Sequence, residues 1–133
     1  MSNLEKRKDA VKGLLHTAFN SNLPIAFKRV EMSRLMDAKG YIQHSPGIDN
    51  GLESLLLLIA DLDKDSPGYG VEVKRVIAEG DLVFAHCHYT YGVQDPHGKA
   101  IAEIFRFDGD LIVEHWDVIQ DVTTESRNGH SMF

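Results

Sequence analysis

"DLIVEHWDVIQDV" (residues 110–122) reads as a β-strand whose two faces differ. Counted by twos, one face carries Leu111, Val113, His115, Asp117 and Ile119, an apolar row interrupted by an imidazole and a carboxylate. The other carries Ile112, Glu114, Trp116, Val118 and Gln120. Successive strand residues point to opposite faces, so this stretch defines both a buried side and the polar groups set into it. A buried side favours methyl groups, and a histidine beside an aspartate there calls for a chemical reason.

The surrounding chain extends this reading. "VEVKRVIA" (71–78), "LVFAHCHYTYG" (82–92) and "AIAEIFRF" (100–107) are also strand-like, rich in β-branched and aromatic residues. "AEGDL" and "FDGDL" close hairpins in which Gly80 and Gly109 supply positive φ, and "GVQDPHGK" (92–99) reads as a longer loop. The first half has the helical period instead. Val11, Leu14, Leu15, Ala18 and Phe19 form a stripe within 4–19, which "SNLP" (21–24) ends. A second helical pattern runs from Ile25 to Met36, with Gly40 as its stop. Leu52, Leu55, Leu56, Ile59 and Leu62 give a third, with Asn50 and Glu53 as a capping-box pattern. "YIQHSPG" (41–47) is short and extended, because Pro46 disfavours helix at Ser45. Three helices followed by a meandering antiparallel sheet predict an α+β fold, with residues 1–133 forming one domain. Several strands are apolar on both faces. The helices are expected to cover one face and a partner subunit the other, so a homodimer is expected.

Composition narrows the function. The chain is 43% hydrophobic and 26% charged with a net charge of −6, which suits a soluble protein and opposes electrostatic nucleic-acid binding. Cys87 is the only cysteine, so neither an internal disulfide nor a Cys-rich zinc site is available. "MSNLEKRKDA" lacks the apolar segment of a secretion signal, and "LLLLIA" (55–60) is far too short to span a bilayer. A cytoplasmic protein with no membrane partner is expected.

Register joins the polar residues. A two-residue Asp108–Gly109 loop would set Glu103 opposite Glu114, a like-charge pair. A three-residue Asp108–Gly109–Asp110 loop sets Glu103 opposite His115 and Ile101 opposite Asp117, and this register is preferred. Glu103, His115 and Asp117 then share one side with Phe105, Leu111, Val113 and Ile119. Ionisable groups in an apolar surround perturb one another's protonation, which is the condition for acid–base catalysis; this reading is preferred over a satisfied polar cluster or a solvent-facing stripe at the mouth of the sheet. "AHCHYT" (85–90) places His86 and His88 on one face with Leu82 and Phe84. Such a pair either ligates a metal, completed by Glu103, His115 or Asp117, or serves a pocket without one; the second reading is preferred. His44 either caps the pocket or faces solvent, and Tyr41 is either a hydrogen-bond donor or a packing residue. His16, His97 and His130 read as surface residues. Gly-rich phosphate loops, serine-nucleophile elbows and zinc-helix motifs are absent.

The segments "YIQHSPGIDNG" (41–51), "VKRVIAEGDLVFAHCHY" (73–89), "AEIFRFDGDLIVEHWDVIQDV" (102–122) and "NGHSMF" (128–133) resemble the bacterial SnoaL-like proteins. These belong to the nuclear-transport-factor-two-like superfamily. The resemblance implies a cone-like fold, a curved sheet around a helix with a deep apolar pocket, often dimeric. It also implies a small-molecule substrate and an aldol-type cyclase, lyase or isomerase that uses no cofactor or metal. Asp117 matches the family's acid/base residue. His115, His86 and Tyr41 are then candidate donors, with Glu103 orienting His115, and Tyr41, His44, His86, His88 and Trp116 are candidates for holding substrate. A non-catalytic binding module and a histidine-based metal enzyme are the alternatives.

Overall fold

The computed structural model describes residues 2–133. Three helices come first, α1 (Asn3–Ala18), α2 (Ile25–Leu35) and α3 (Leu52–Asp65), with a two-residue strand β1 (Ile42–Gln43) before α3. Four long strands follow: β2 (Tyr69–Glu79), β3 (Leu82–Tyr91), β4 (Asp95–Asp108) and β5 (Leu111–Asp121). The helices pack on one face of a single five-stranded sheet of order β1-β5-β4-β3-β2.

The expected α+β layering is present, with instructive departures. The "YIQHSPG" segment is not merely extended: β1 pairs in parallel with β5, Gln43 opposite His115, so the sheet is mixed. Asn50 does not cap α3. Its side-chain oxygen accepts instead from the Gln43 backbone N–H (2.8 Å), tying down β1, while Gly51 at φ 87° begins the helix. The 92–99 loop is shorter than expected, since β4 starts at Asp95. Gly98 is obligatory there: its φ is 71°, and a Cβ would lie 1.7 Å from the Tyr89 carbonyl oxygen.

Both hairpins turn in two residues, Gly80–Asp81 and Gly109–Asp110. The β4–β5 register therefore differs from expectation. Asp108 faces Leu111, and a bulge at Val113 shifts the ladder so that Glu103 faces Asp117 and Phe105 faces His115. An extra bulged residue reverses the alternation beyond it and bends the strand. Hence Ile112, not Leu111 or Val113, shares the buried side with His115; Ile112 is fully buried and Leu111 is exposed. A second irregularity at Lys74 interrupts β2 against β3.

The core lies between helices and sheet. Val11, Leu14, Leu15 and Ala18 of α1 and Leu52, Leu55, Leu56 and Ile59 of α3 meet Val83, Ala85 and Cys87 of β3 and Phe105 and Phe107 of β4. Two cations staple α1 across it. Arg7 donates to the carbonyls of Gly80 (2.7 Å) and Gly109 (3.2 Å), one at each hairpin tip. Lys28, fully buried on α2, donates to the Ala18 carbonyl (2.9 Å) at the other end of α1 and to the Tyr69 hydroxyl (2.7 Å). No helix among the described residues is long and apolar enough to cross a membrane.

Candidate active site

The helices do not fill all the space over the sheet. A cavity of about 370 Å³ remains between α1, α3, the segment after β1 and the inner face of β3, β4 and β5. Its helical walls are apolar: Leu14, Leu15, Ala18 and Phe19 from α1, and Leu55, Leu58 and Leu62 from α3. The sheet side carries the polar groups, Tyr89 and Tyr91 from β3, Glu103 from β4, and His115 and Asp117 from β5, set among the apolar Ile101, Phe105 and Ile119. Tyr41, Gln43 and Ser45 project from around β1. No lysine or arginine lines the cavity.

A hydrogen-bonded chain crosses its floor. The Tyr89 hydroxyl donates to Glu103 Oε2 (2.7 Å), and Glu103 Oε1 lies 3.2 Å from His115 Nε2. His115 Nδ1 lies 2.7 Å from Gln43 Oε1, which also accepts from the Ser45 backbone N–H (3.0 Å). Glu103, His115 and Tyr89 are each about 5% exposed or less. Asp117 differs. It faces Glu103 directly across the β4–β5 ladder and is half-buried, and among the described residues its carboxylate makes no hydrogen bond or ion pair to a protein group.

The tyrosines stay protonated. Burial, followed by the field of the Glu103 carboxylate, pushes the Tyr41 and Tyr89 hydroxyls up from the ordinary value of 10.0. Burial pushes Tyr91 up to about 12. The Cys87 thiol, behind Glu103 on β3, is raised by burial first and by that carboxylate second, so it is a packed thiol and no nucleophile. Tyr41 and Tyr91 thus offer neutral O–H donors to the cavity at any physiological pH.

The structure brings together Glu103, His115, Asp117 and Tyr41, and separates the others. His86 and His88 lie on the outer face of the sheet, because Val83, Ala85, Cys87 and Tyr89 take the inward row of β3. His86 pairs with Arg75, while His88 donates from Nε2 to the His97 carbonyl (2.7 Å) and stacks on Phe133 at 4.4 Å between ring centroids. The five residues considered for a metal are therefore split across the sheet. Among the described residues no group of three or more His, Cys, Asp or Glu is placed to hold one. His44 and Trp116 are also outside, stacked at 4.9 Å, with His44 Nε2 bonded to Glu114 (2.7 Å). Gln43, Ser45, Tyr89 and Tyr91 are the cavity residues that sequence reasoning missed. Alternation held the signal: in "YIQHSP" the row Tyr41–Gln43–Ser45 excludes His44, and in "LVFAHCHYTY" the more apolar row leads to the two tyrosines.

No protein-family model matches the chain, and no curated protein matches it. Solved structures do. A protein from Jannaschia sp. CCS1, provisionally named a SnoaL-like polyketide cyclase, superposes with a TM-score of 0.69 at 20% identity over 90% of this chain and 89% of its own. AclR from Streptomyces galilaeus, provisionally named a hydroxylase, gives 0.67 at 21% identity over 89% and 91%. An NTF-2-like protein of unknown function from Burkholderia xenovorans LB400 gives 0.66 at 17% identity over 92% and 89%. The chain therefore has the cone-like α+β fold of the SnoaL-like, NTF2-like superfamily. Proteins of that fold carry unlike activities, so the reaction must be argued from the site.

Proposed function

We propose that this protein is a small-molecule enzyme that moves a proton at a carbon next to a carbonyl, with Asp117 as the acid/base. The observation that carries this reading is the contrast between the two cavity carboxylates. Glu103 is engaged on both oxygens by Tyr89 and His115, whereas Asp117 has no protein partner and lines an apolar cavity. A carboxylate with free lone pairs at such a place can take an α-proton. The electrons move onto the carbonyl oxygen, where Tyr41 or Tyr91 donates a hydrogen bond to the developing enolate. Where the enolate is conjugated with a further double bond, Asp117 returns the proton at the far carbon of that system, an isomerisation. Alternatively the enolate carbon attacks a second carbonyl within the substrate, and the new alkoxide takes the proton, an aldol closure. His115 has both ring nitrogens occupied, so it holds Glu103 and Gln43 in place and has no nitrogen free for substrate. The resemblance of the fold to proteins named as polyketide cyclases supports the second route.

The test needs no knowledge of the natural substrate. Wild type and Asp117→Asn are incubated in deuterated water with a panel of small β-diketones and β-keto esters, and loss of α-protons is followed by NMR. Wild-type exchange that falls about 10²–10⁴-fold in Asp117→Asn is expected. Full exchange in the variant would remove Asp117 from the role, and tight ligand binding without exchange in wild type would make the cavity a binding site only.

We further propose that a second copy covers the outer face. The register places Ile77, Phe84, Ile104 and Trp116 side by side across four strands, and Ile77 and Val118 are 60% and 71% exposed. An apolar row of this kind on a sheet marks an interface. Sedimentation at micromolar concentration should return twice the 14.9 kDa chain mass; the monomer mass would remove the dimer.

A further inference from the structure

The structure assigns Gln43 as a positioning residue that keeps a hydrogen on His115 Nδ1 and so leaves a single proton to be shared between His115 Nε2 and Glu103. The argument is one of donors and acceptors. The Ser45 backbone N–H can only donate, and it points at Gln43 Oε1 from 3.0 Å, which fixes the orientation of the Gln43 amide. The amide nitrogen then faces the Tyr41 hydroxyl oxygen at 3.4 Å, as it should. The same Oε1 lies 2.7 Å from His115 Nδ1, so Nδ1 must carry a hydrogen. His115 can therefore not become neutral by losing the Nδ1 proton without setting two lone pairs against each other.

The other ring nitrogen faces Glu103 Oε1 at 3.2 Å, and exactly the same logic applies with one proton between them. That proton sits on either Nε2 or Oε1, and in both cases the pair is neutral overall. Removing it would leave a carboxylate against an imidazole lone pair. It would also leave two negative charges, Glu103 and Asp117, directly opposite each other in the ladder. Without Gln43, the imidazole could donate from Nε2 and leave Nδ1 bare.

The remaining surroundings do not supply this control. From β3, Tyr89 donates to Glu103, and the Cys87 thiol and Tyr91 are neutral. From the residue before β1 comes Tyr41, also neutral, and from β5 comes Asp117. The helices contribute only apolar side chains to the cavity. Gln43 itself is delivered by the parallel β1–β5 pairing and by Asn50, which accepts from its backbone N–H. This inference deepens the reading of Asp117 as acid/base, yet its test involves neither substrate nor turnover.

The test is ¹⁵N NMR of histidine-labelled protein across pH, with the His115 signals assigned by their absence from His115→Gln. Wild type should show a protonated Nδ1 throughout. In Gln43→Leu, the signals should convert to the tautomer protonated on Nε2, with Nδ1 bare. Gln43→Glu keeps both acceptor contacts, so Nδ1 should remain protonated as in wild type. If Gln43→Leu folds poorly, Gln43→Glu decides alone. An unchanged tautomer in Gln43→Leu, or loss of the Nδ1 hydrogen in Gln43→Glu, overturns the assignment. Either result leaves the Asp117→Asn exchange experiment to stand or fall separately.

Discussion

The two faces of this sheet use the same residue types to different ends. On the inner face, His115 has a partner at each nitrogen, and each partner is itself held by a second group in a buried chain from Tyr89 to the Ser45 backbone. On the outer face, His44, His86 and His88 also have partners, but the hydrogen bonds that join them lie in contact with solvent. Water can replace any outer partner at little cost, whereas an inner group that loses its partner is stranded at low dielectric. The difference is burial and not composition: histidines one residue out of phase on a strand are different chemical objects.

The sharpest way to break this comparison is at Glu103. Glu103→Ala strands the Tyr89 hydroxyl and His115 Nε2 together, and a loss of about 3–5 kcal/mol is expected in urea denaturation. Glu103→Gln keeps an acceptor for Tyr89 and should cost less. A loss under about 1 kcal/mol for Glu103→Ala would mean the inner network is no more coupled than the outer pairs.

Alkaline titration comes next. All four tyrosines, Tyr41, Tyr69, Tyr89 and Tyr91, have hydroxyls raised above the ordinary value of 10.0, with burial the largest cause in each. A folded-state value above the unfolded one gives stability that is complete below pH 10 and lost as pH rises through the folded values. Lys28, pushed down by burial, acts in the opposite sense below 10.5 but is one group against four. The urea midpoint measured from about pH 8 to about pH 11 should therefore hold and then fall. Tyr89→Phe should shallow the fall; an unchanged slope would exclude that hydroxyl as a source.

The outer face should give the smallest effects. His44→Ala removes the contact that, before Arg106, holds the Glu114 carboxyl below its usual range, and its cost should be several-fold less than that of Glu103→Ala. His86→Ala and His88→Ala should change stability by no more than about 0.5 kcal/mol and leave α-proton exchange at the wild-type rate. A tenfold loss of exchange in either would place outer-face residues in the chemistry and undo the division.

Much of this architecture was legible in the sequence because periodicity reports burial directly. The helix stripes of Val11–Ala18 and Leu52–Ile59 and the alternation of "FAHCHYTY" each correspond to an observed core face. What stayed hidden was set by tertiary contacts. A two-residue strand does not announce its partner, so the parallel β1–β5 pairing that carries Gln43 to His115 was not legible, although the alternation of Tyr41, Gln43 and Ser45 was. The bulge at Val113 reverses a face within one residue and leaves no mark in the hydrophobic pattern. Glu103, His115 and Asp117 still shared a face under the expected register because that register was off by two positions at those residues, which preserves the alternation. The even row of β3 was misleading for a chemical reason: histidine draws attention as a ligand, while Tyr89 and Tyr91, which line the cavity, resemble ordinary strand residues.

The two cations at the ends of α1 have a mechanical consequence. Arg7 pins one end of the helix to both hairpin tips, and Lys28 pins the other through the Ala18 carbonyl. Between these supports, Leu14, Leu15 and Ala18 look down into the cavity. The helix is thus a beam resting on two piers, and the span between them does not need to sag onto the sheet to be stable. Cutting a pier, as in Arg7→Met or Lys28→Met, is expected to let the roof settle, so the cavity would shrink and not widen, and ligand affinity would fall with its volume.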